Sequence, residues 1–143
     1  MFSMQTSADK LQLRASLEGA YITAYIRQYQ KYFNGIAKIQ FNAHVQDSRC
    51  MVEQSLICPI IDDALRLGIF NVEAPAILFG LIVNPNSFIF SVHHSFNPLK
   101  RDEEMLVNFE KLKLKLEAMS PQKYVLYRNF YLDSYFFLLK LEL

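Results

Sequence analysis

The chain has 143 residues, of which 52% are hydrophobic and 14% aromatic, and its 15 lysine and arginine residues nearly balance 14 aspartate and glutamate residues. This composition excludes a disordered chain, which would be less hydrophobic and more charged, and two cysteines are too few for a small disulfide scaffold. A formal net charge of +1 provides no general attraction to nucleic acid or to anionic lipid. We therefore expect one apolar domain over residues 1–143.

The N-terminal part of the chain has helical periodicity. Thr6-Ser7-Ala8-Asp9 has the form of a capping box, and apolar residues then recur at spacings of three and four as far as about Phe33. Asn34-Gly35 marks a break, because both residues tolerate positive φ, and residues 36–45 are predicted as a shorter helical continuation.

A third helical segment follows the capping residues Asp47 and Ser48. Pro59 interrupts it, so either the helix proper begins there, with proline in its first turn, or the helix is kinked. Gly68 stands where a helix-terminating glycine is expected.

Residues 74–99 contain no formally charged residue. The continuously apolar run 76–83 is far shorter than the roughly 20 residues that cross a bilayer, so a membrane span is not expected. The pattern predicts two buried helices, over residues 76–83 and 87–95, separated by a break near Asn84-Pro85.

Two further helices are predicted in the last third of the chain. Asn97-Pro98 begins a helix that reaches about Met119; strong helix formers favour helix over strand there, although residues 111–116 alternate between lysine and leucine. Ser120-Pro121 begins a last helix that is aromatic nearly all round, which is typical of an association surface. The expected fold class is therefore all-α, with about six helices.

Residues 57–76 show a proline-led helix that ends in glycine, then a hydrophobic turn, then a helix with an acidic start. This pattern resembles the C-terminal regulatory domain of the tetracycline-repressor (TetR) family of transcriptional regulators. Residues 13–39 are similar to the long helix that precedes it in that family, and the resemblance covers residues 11–83.

The resemblance implies a ligand-sensing and dimerisation domain without its own DNA-binding head, since residues 1–16 are too short to hold a helix-turn-helix. The implied partners are a second copy of the chain and an apolar small-molecule effector, with DNA reached only through a missing N-terminal domain and no membrane contact. The candidate pocket residues are Tyr25, Tyr29, Phe33, Phe88, Phe90 and His93, and the candidate dimer-interface residues are Phe109, Leu112, Leu116, Tyr127, Tyr131 and Tyr135.

Residues that could carry catalysis or bind metal form no convincing set. Neighbours in a helix diverge by about 100°, so His93-His94 cannot face one metal unaided and Asp62-Asp63 is interpreted as solvated surface. No P-loop, dinucleotide glycine pattern or G-x-S-x-G occurs. We therefore expect that the protein is not an enzyme and that it binds neither a cofactor nor a metal ion.

Two further expectations concern partners and compartment. A helical protein–protein interaction module with no small-molecule ligand is the alternative to the regulatory domain. Without an apolar leader at the start of the chain, and with Cys50 and Cys58 interpreted as buried free thiols, the expected location is cytoplasmic.

Overall fold

A computed structural model describes residues 12–33, 38–68, 77–95, 103–118 and 123–143, and all structural statements below concern these ranges. They contain three helices and seven strands. In chain order these are β1 (Gln12–Arg14), α1 (Ala15–Tyr32), β2 (Ile39–Val45), β3 (Met51–Glu53), α2 (Cys58–Gly68), β4 (Ile77–Asn84), β5 (Ser87–Ser95), α3 (Glu103–Ala118), β6 (Tyr124–Tyr131) and β7 (Ser134–Glu142).

Five strands form one mixed sheet in the order β2-β4-β5-β7-β6, while β1 and β3 form a small antiparallel pair. Strand β2 runs parallel to β4, and the other neighbours in the large sheet are antiparallel. Two-residue turns join β4 to β5 and β6 to β7, since Asn84 is paired with Ser87 and Tyr131 with Ser134. A parallel pair cannot be joined by so short a turn, and α2 lies in the connection from β2 to β4.

The three helices cover one face of the large sheet. Helix α1 packs on β2 and β4, and α2 packs on β4, β5 and α3. Gly19 allows the close approach of α1, because a Cβ there would lie 3.0 Å from a methyl group of Val83. Helix α3 reaches the sheet through Phe109, whose ring lies edge-on to that of Phe137 on β7, at 6.2 Å between centroids.

Alternate residues of the central strands form the core beneath these helices. Strand β7 shows this alternation clearly: Tyr135, Phe137, Leu139 and Leu141 are buried, and the residues between them are partly exposed. The helices contribute their own apolar residues to the same core, including Ile22, Ile26, Ile61, Leu65, Leu112 and Leu116.

The expectation of an all-α fold is wrong, because four of the segments predicted as helices are strands. The continuation over residues 36–45 contains β2, the two buried helices of 76–83 and 87–95 are β4 and β5, and the last helix is the β6–β7 hairpin. In β4, β5 and β7 apolar residues occur on both faces of the strand, so the period-two signal is hidden within runs that are also compatible with a buried helix.

The third predicted helical segment does not begin after Asp47 and Ser48, because residues 51–53 form β3 and α2 starts at Cys58. Several other local predictions are confirmed. Helices lie over most of the segments ending near Phe33 and Met119, and α2 has Pro59 in its first turn and Gly68 as its last residue. Residues 111–116 are helical despite their alternation. The capping box at Thr6 and the helix start at Asn97-Pro98 lie outside the described residues.

Candidate functional site

Buried polar groups collect at the end of the fold where α2 ends, β5 ends and α3 begins. Asp63 lies on α2, Asn108 on α3 and His94 near the end of β5. Asp63 is 3% exposed and His94 is 1% exposed. Because burying polar groups costs free energy unless they are paired, this concentration marks the candidate site.

Asp63 is held by side chains from two helices. Arg66 Nη2 lies 2.7 Å from its Oδ1, one turn further along α2, and Asn108 Nδ2 lies 3.1 Å from each carboxylate oxygen. The side chain of Arg66 is 39% exposed, so this ion pair connects a buried carboxylate to the surface. The pair places a positive guanidinium within reach of an anionic group approaching from solvent.

His94 presents an unsatisfied acceptor. Its Nδ1 lies 2.6 Å from the carbonyl oxygen of Ser95. A carbonyl oxygen can only accept, so this contact assigns the hydrogen to Nδ1 and leaves Nε2 of the neutral ring as an acceptor. Within the described part of the chain, Nε2 is buried and has no hydrogen-bond partner. Burial lowers the pKa of His94. The hydrogen bond to Ser95 partly opposes this shift and the nearby His93 adds to it, so the ring is neutral at physiological pH.

Tyr135 and Arg128 border this cluster from the β6–β7 hairpin. The ring of Tyr135 lies 5.0 Å from that of His94, and the two residues are paired across β5 and β7. Burial raises the pKa of Tyr135 to about 12, with Arg128 lowering it and Asp63 raising it, so its hydroxyl stays protonated. The guanidinium carbon of Arg128 lies 4.0 Å from the centroid of the Phe109 ring.

The structure does not bring the expected pocket residues together in one cavity. Tyr25 and Tyr29 lie half-buried on α1, with Phe33 at its C-terminal end, and neighbouring rings are in contact. Phe88 and Phe90 lie in the core beneath the helices, and His93 is exposed on the opposite face of the sheet. The cavity on α1, about 210 Å³, is lined by Tyr25, Gln28, Tyr29 and Tyr32 and includes no residue of β5.

The expected dimer-interface residues likewise fall into a buried set and an exposed set. The buried members are part of the chain's own core, whereas Tyr127 and Tyr131 are exposed on β6. The buried members are Phe109, Leu112, Leu116 and Tyr135.

Two residues of the site were missed by sequence reasoning. Helical spacing predicts Asp62 and Asp63 to be solvated surface, yet only Asp62 is exposed, and Asp63 faces α3. A signal existed, since Asp63 lies between the buried residues Ile60 and Ala64 on the apolar side of the helix. The sequence predicts His93 and His94 to lie in a helix, but they lie in β5, where neighbouring residues point to opposite faces and only His94 is buried.

The described residues contain neither a metal-binding cluster nor a membrane-spanning helix. They include no group of three or more histidine, cysteine, aspartate or glutamate side chains that could hold a metal ion. They also include no helix long and apolar enough to cross a membrane.

Comparison with solved structures identifies the fold. The catalytic domain of histidine kinase ThkA, in a nucleotide-free form, matches with a TM-score of 0.60 at 9% identity, covering 92% of this chain and 95% of that one. The cytoplasmic segment of histidine kinase QseC matches with a TM-score of 0.53 at 13% identity, covering 99% and 82%. ThkA in complex with the response regulator protein TrrA also matches, with a TM-score of 0.54 at 11% identity, covering 92% of this chain and 41% of that one.

No family model and no curated protein matches the sequence. At identities this low, the likeness establishes the fold, which is that of histidine kinase catalytic domains. The resemblance to the TetR regulatory domain is therefore wrong, and so is the alternative of a helical interaction module. The expectation of no enzyme is contradicted as well, because the neighbours with this fold are kinase catalytic domains.

Proposed function

We propose that this chain is a nucleotide-binding domain of the histidine kinase type, which binds ATP where α2 and β5 end and α3 begins. The observation that carries the proposal is the buried Nε2 of His94, an acceptor without a partner among the described residues. A buried unpaired acceptor costs free energy, and a ligand that donates to it recovers that cost. The exocyclic amine of adenine is a donor of this kind.

The groups around His94 fit the rest of a nucleotide. The aromatic ring of Tyr135 lies beside it, and an apolar or aromatic surface is what a planar base packs against. Arg66, whose side chain is 39% exposed in its ion pair with Asp63, supplies a positive charge that phosphate oxygens could approach from solvent. The fold supports the same assignment, since one neighbour is the nucleotide-free form of a kinase catalytic domain.

Asp63 is the candidate group for the Mg²⁺ ion that accompanies a triphosphate. Mg²⁺ at such sites is bound by one or two carboxylates together with phosphate oxygens and water. Asp63, on α2, would supply one such carboxylate. Nucleotide binding is therefore expected to strengthen when Mg²⁺ is added.

The test compares ATP with GTP, because guanine carries a carbonyl oxygen where adenine carries its amine. An acceptor such as Nε2 attracts the amine and repels the carbonyl. We expect the chain to prefer ATP by at least about tenfold in dissociation constant, measured by isothermal titration calorimetry with Mg²⁺. A chain that binds neither nucleotide at millimolar concentration, or both equally, would overturn the proposal.

The variant His94→Asn isolates the responsible atom. An asparagine amide can keep the bond to the Ser95 carbonyl in place of Nδ1, but it has nothing at the position of Nε2. We expect it to lose the preference for ATP while its circular dichroism spectrum stays unchanged. The matched control is His93→Asn, the same change one residue away on the exposed face, which should keep the preference.

Partners and location complete the proposal. By analogy with the ThkA complex, a response regulator is the proposed protein partner. A homodimer stays a prediction. The apolar effector follows only from the TetR resemblance and is not proposed for this fold. A cytoplasmic location is retained as a proposal because Cys50 and Cys58 are both free thiols.

A further inference from the structure

Helix α1 carries a tyrosine-lined cavity that takes no part in the proposed nucleotide site. Tyr25, Gln28, Tyr29 and Tyr32 follow one another at the spacings of neighbouring helical turns, so their side chains share one face of the helix. They line a cavity of about 210 Å³. Because pockets for drug-sized ligands measure roughly 300–1,000 Å³, this cavity suits a smaller group.

The rings that line the cavity leave aromatic faces available to a ligand. The ring centroids of Tyr25 and Tyr29 lie 5.4 Å apart, and the two ring planes meet at 68°. Rings at this angle do not cover each other's faces as a parallel stack does. Tyr32 adds a third ring to the lining, and its side chain is 74% exposed. Aromatic faces carry the negative part of the ring quadrupole, which attracts positive charge.

A carboxylate from α2 adds negative charge beside these rings. The hydroxyl of Tyr25 donates a hydrogen bond to Oδ1 of Asp62, and Asp62 is exposed. Arg27, on the same helix, is directed away toward the sheet, since its guanidinium carbon lies 5.3 Å from the centroid of the Phe41 ring on β2. Aromatic faces and a negative charge therefore meet at this cavity.

We propose that the cavity on α1 binds a quaternary ammonium group, such as the trimethylammonium head of choline or of a trimethylated lysine side chain. The ring faces attract its positive charge, and its methyl groups contact the rings. A primary ammonium would lose hydrogen bonds to water on entering between the rings. A quaternary ammonium has no N–H group to satisfy, so its entry costs less free energy.

This site is separate from the proposed nucleotide site, because two adjacent residues of α2 face different helices. Asp62 accepts a hydrogen bond from Tyr25 of α1, whereas Asp63 accepts from Asn108 of α3. Ammonium binding therefore does not depend on nucleotide binding, and the two proposals can fail independently.

The first experiment is an NMR titration of the chain with choline at constant ionic strength, observing the tyrosine ring protons. We expect a dissociation constant in the millimolar range, since a few cation–π contacts supply only a modest affinity. The matched probe is the neutral alcohol in which carbon replaces the charged nitrogen of choline, and it should bind at least about tenfold more weakly. Equal binding of the two probes would overturn the proposal, and so would unchanged spectra at about 50 mM choline.

Variants of Tyr32 test whether an aromatic ring is responsible. Because this side chain is 74% exposed, Tyr32→Leu should leave the circular dichroism spectrum unchanged. We expect Tyr32→Leu to weaken choline binding about two- to fivefold, which is the loss of one exposed cation–π contact, while Tyr32→Phe keeps the ring and should bind as the wild type does. The control Tyr131→Leu removes a ring that is 69% exposed on β6 and should not change the affinity. A Tyr32→Leu chain that binds choline as tightly as wild type would overturn the proposal.

The variant Asp62→Asn tests the charge, because asparagine keeps an acceptor for the Tyr25 hydroxyl and removes the carboxylate. We expect it to weaken choline binding about two- to fivefold and to leave binding of the neutral alcohol unchanged. Equal losses for both probes would contradict a role for the charge. Capped trimethyllysine, titrated beside choline, distinguishes the two sources of the ammonium group: tighter binding than choline indicates a methylated protein, and weaker binding indicates a free small molecule.

Discussion

Asn108 donates its side-chain amide to both carboxylate oxygens of Asp63, at 3.1 Å each, and so fixes α3 to α2 through a buried polar contact. The cavity beside this contact, about 80 Å³, is lined by residues of both helices and is smaller than a nucleotide. This amide and this carboxylate therefore help to fix the relative position of the two helices at the candidate site.

The first prediction concerns this contact. Replacing Asn108 with alanine removes one donor from a buried carboxylate while Arg66 remains. We expect the free energy of unfolding, measured in urea, to fall by about 1–3 kcal/mol. The control is Glu110→Ala, an exposed position on the same helix, which should change it by less than about 0.5 kcal/mol. Equal losses in both variants would show that the contact contributes nothing to stability.

The second prediction concerns pH. Glu18 on α1 is buried, and its Oε2 accepts a hydrogen bond from the backbone N–H of Ser55 at 2.9 Å. Burial raises the pKa of Glu18 from 4.5 to about 7, opposed by the Ser55 bond and reinforced by Glu53. The folded state thus binds more protons than the unfolded state between these values, so stability falls as pH rises from about 4.5 to 7.

The variant Glu18→Gln should remove this dependence, because glutamine keeps an acceptor for Ser55 and carries no charge. Thermal melts from pH 4.5 to 8 should show a flatter profile for the variant, which becomes the more stable protein near pH 8, by at most about 3 kcal/mol. Glu117→Gln, on the exposed side of α3, should keep the wild-type profile. Parallel profiles for Glu18→Gln and wild type would contradict the prediction.

The third prediction concerns the end of α2 against the sheet. A Cβ at Gly68 would lie 2.7 Å from Cγ1 of the fully buried Ile77 and 3.1 Å from Cβ of His94. Gly68→Ala must therefore shift α2 or β4, and we expect it to destabilise the fold by about 1–3 kcal/mol. Gly80→Ala meets only the rotatable hydroxyl of Ser91 and should cost less. Chemical denaturation of the two variants checks the order, which would be wrong if Gly80→Ala were the worse.

The fourth prediction concerns thiol reactivity. Cys58 is buried, and burial raises the pKa of its thiol to about 11, whereas Cys50 is half-exposed. The thiolate is the reactive form, so Cys58 should be inert in the folded chain. A thiol-specific chromogenic reagent should titrate one thiol per chain quickly and the second only in denaturant. The variant Cys50→Ser should abolish the fast phase, and a fast phase that survives would contradict the assignment.

Much of the helical structure could be predicted from local signals. Pro59 and Gly68 bound α2 because proline is tolerated in a first turn and glycine favours helix ends, and the residues of α3 are strong helix formers. These preferences depend only on a few neighbouring residues, so they can be recognised in the sequence alone. Asn84-Pro85-Asn86 was likewise recognised as a break, although the break is a hairpin turn between strands.

The strands could not be predicted from local signals, because the hydrogen bonds and side-chain contacts that stabilise them join residues far apart in the sequence. Residues 77–83 and 135–139 carry no polar side chain apart from the Tyr135 hydroxyl, and such an apolar run is compatible with a buried helix and with a buried strand. Their short lengths and the aromatic and β-branched side chains favoured strand, but pairing with β2, β5 and β6 is what decides the outcome.

The sequence by itself determined that this is an apolar, nearly neutral chain with helices at α1, α2 and α3, because composition and helix-end preferences act over a few residues. Only the tertiary structure decided the sheet, the burial of Asp63 and the partnerless Nε2 of His94. Asp63 and His94 each stand next to an identical residue, Asp62 and His93. The packing of the helix or strand against the core sets which residue of each pair faces inward. The candidate site therefore arises from contacts between residues up to 45 positions apart, such as Asp63 and Asn108.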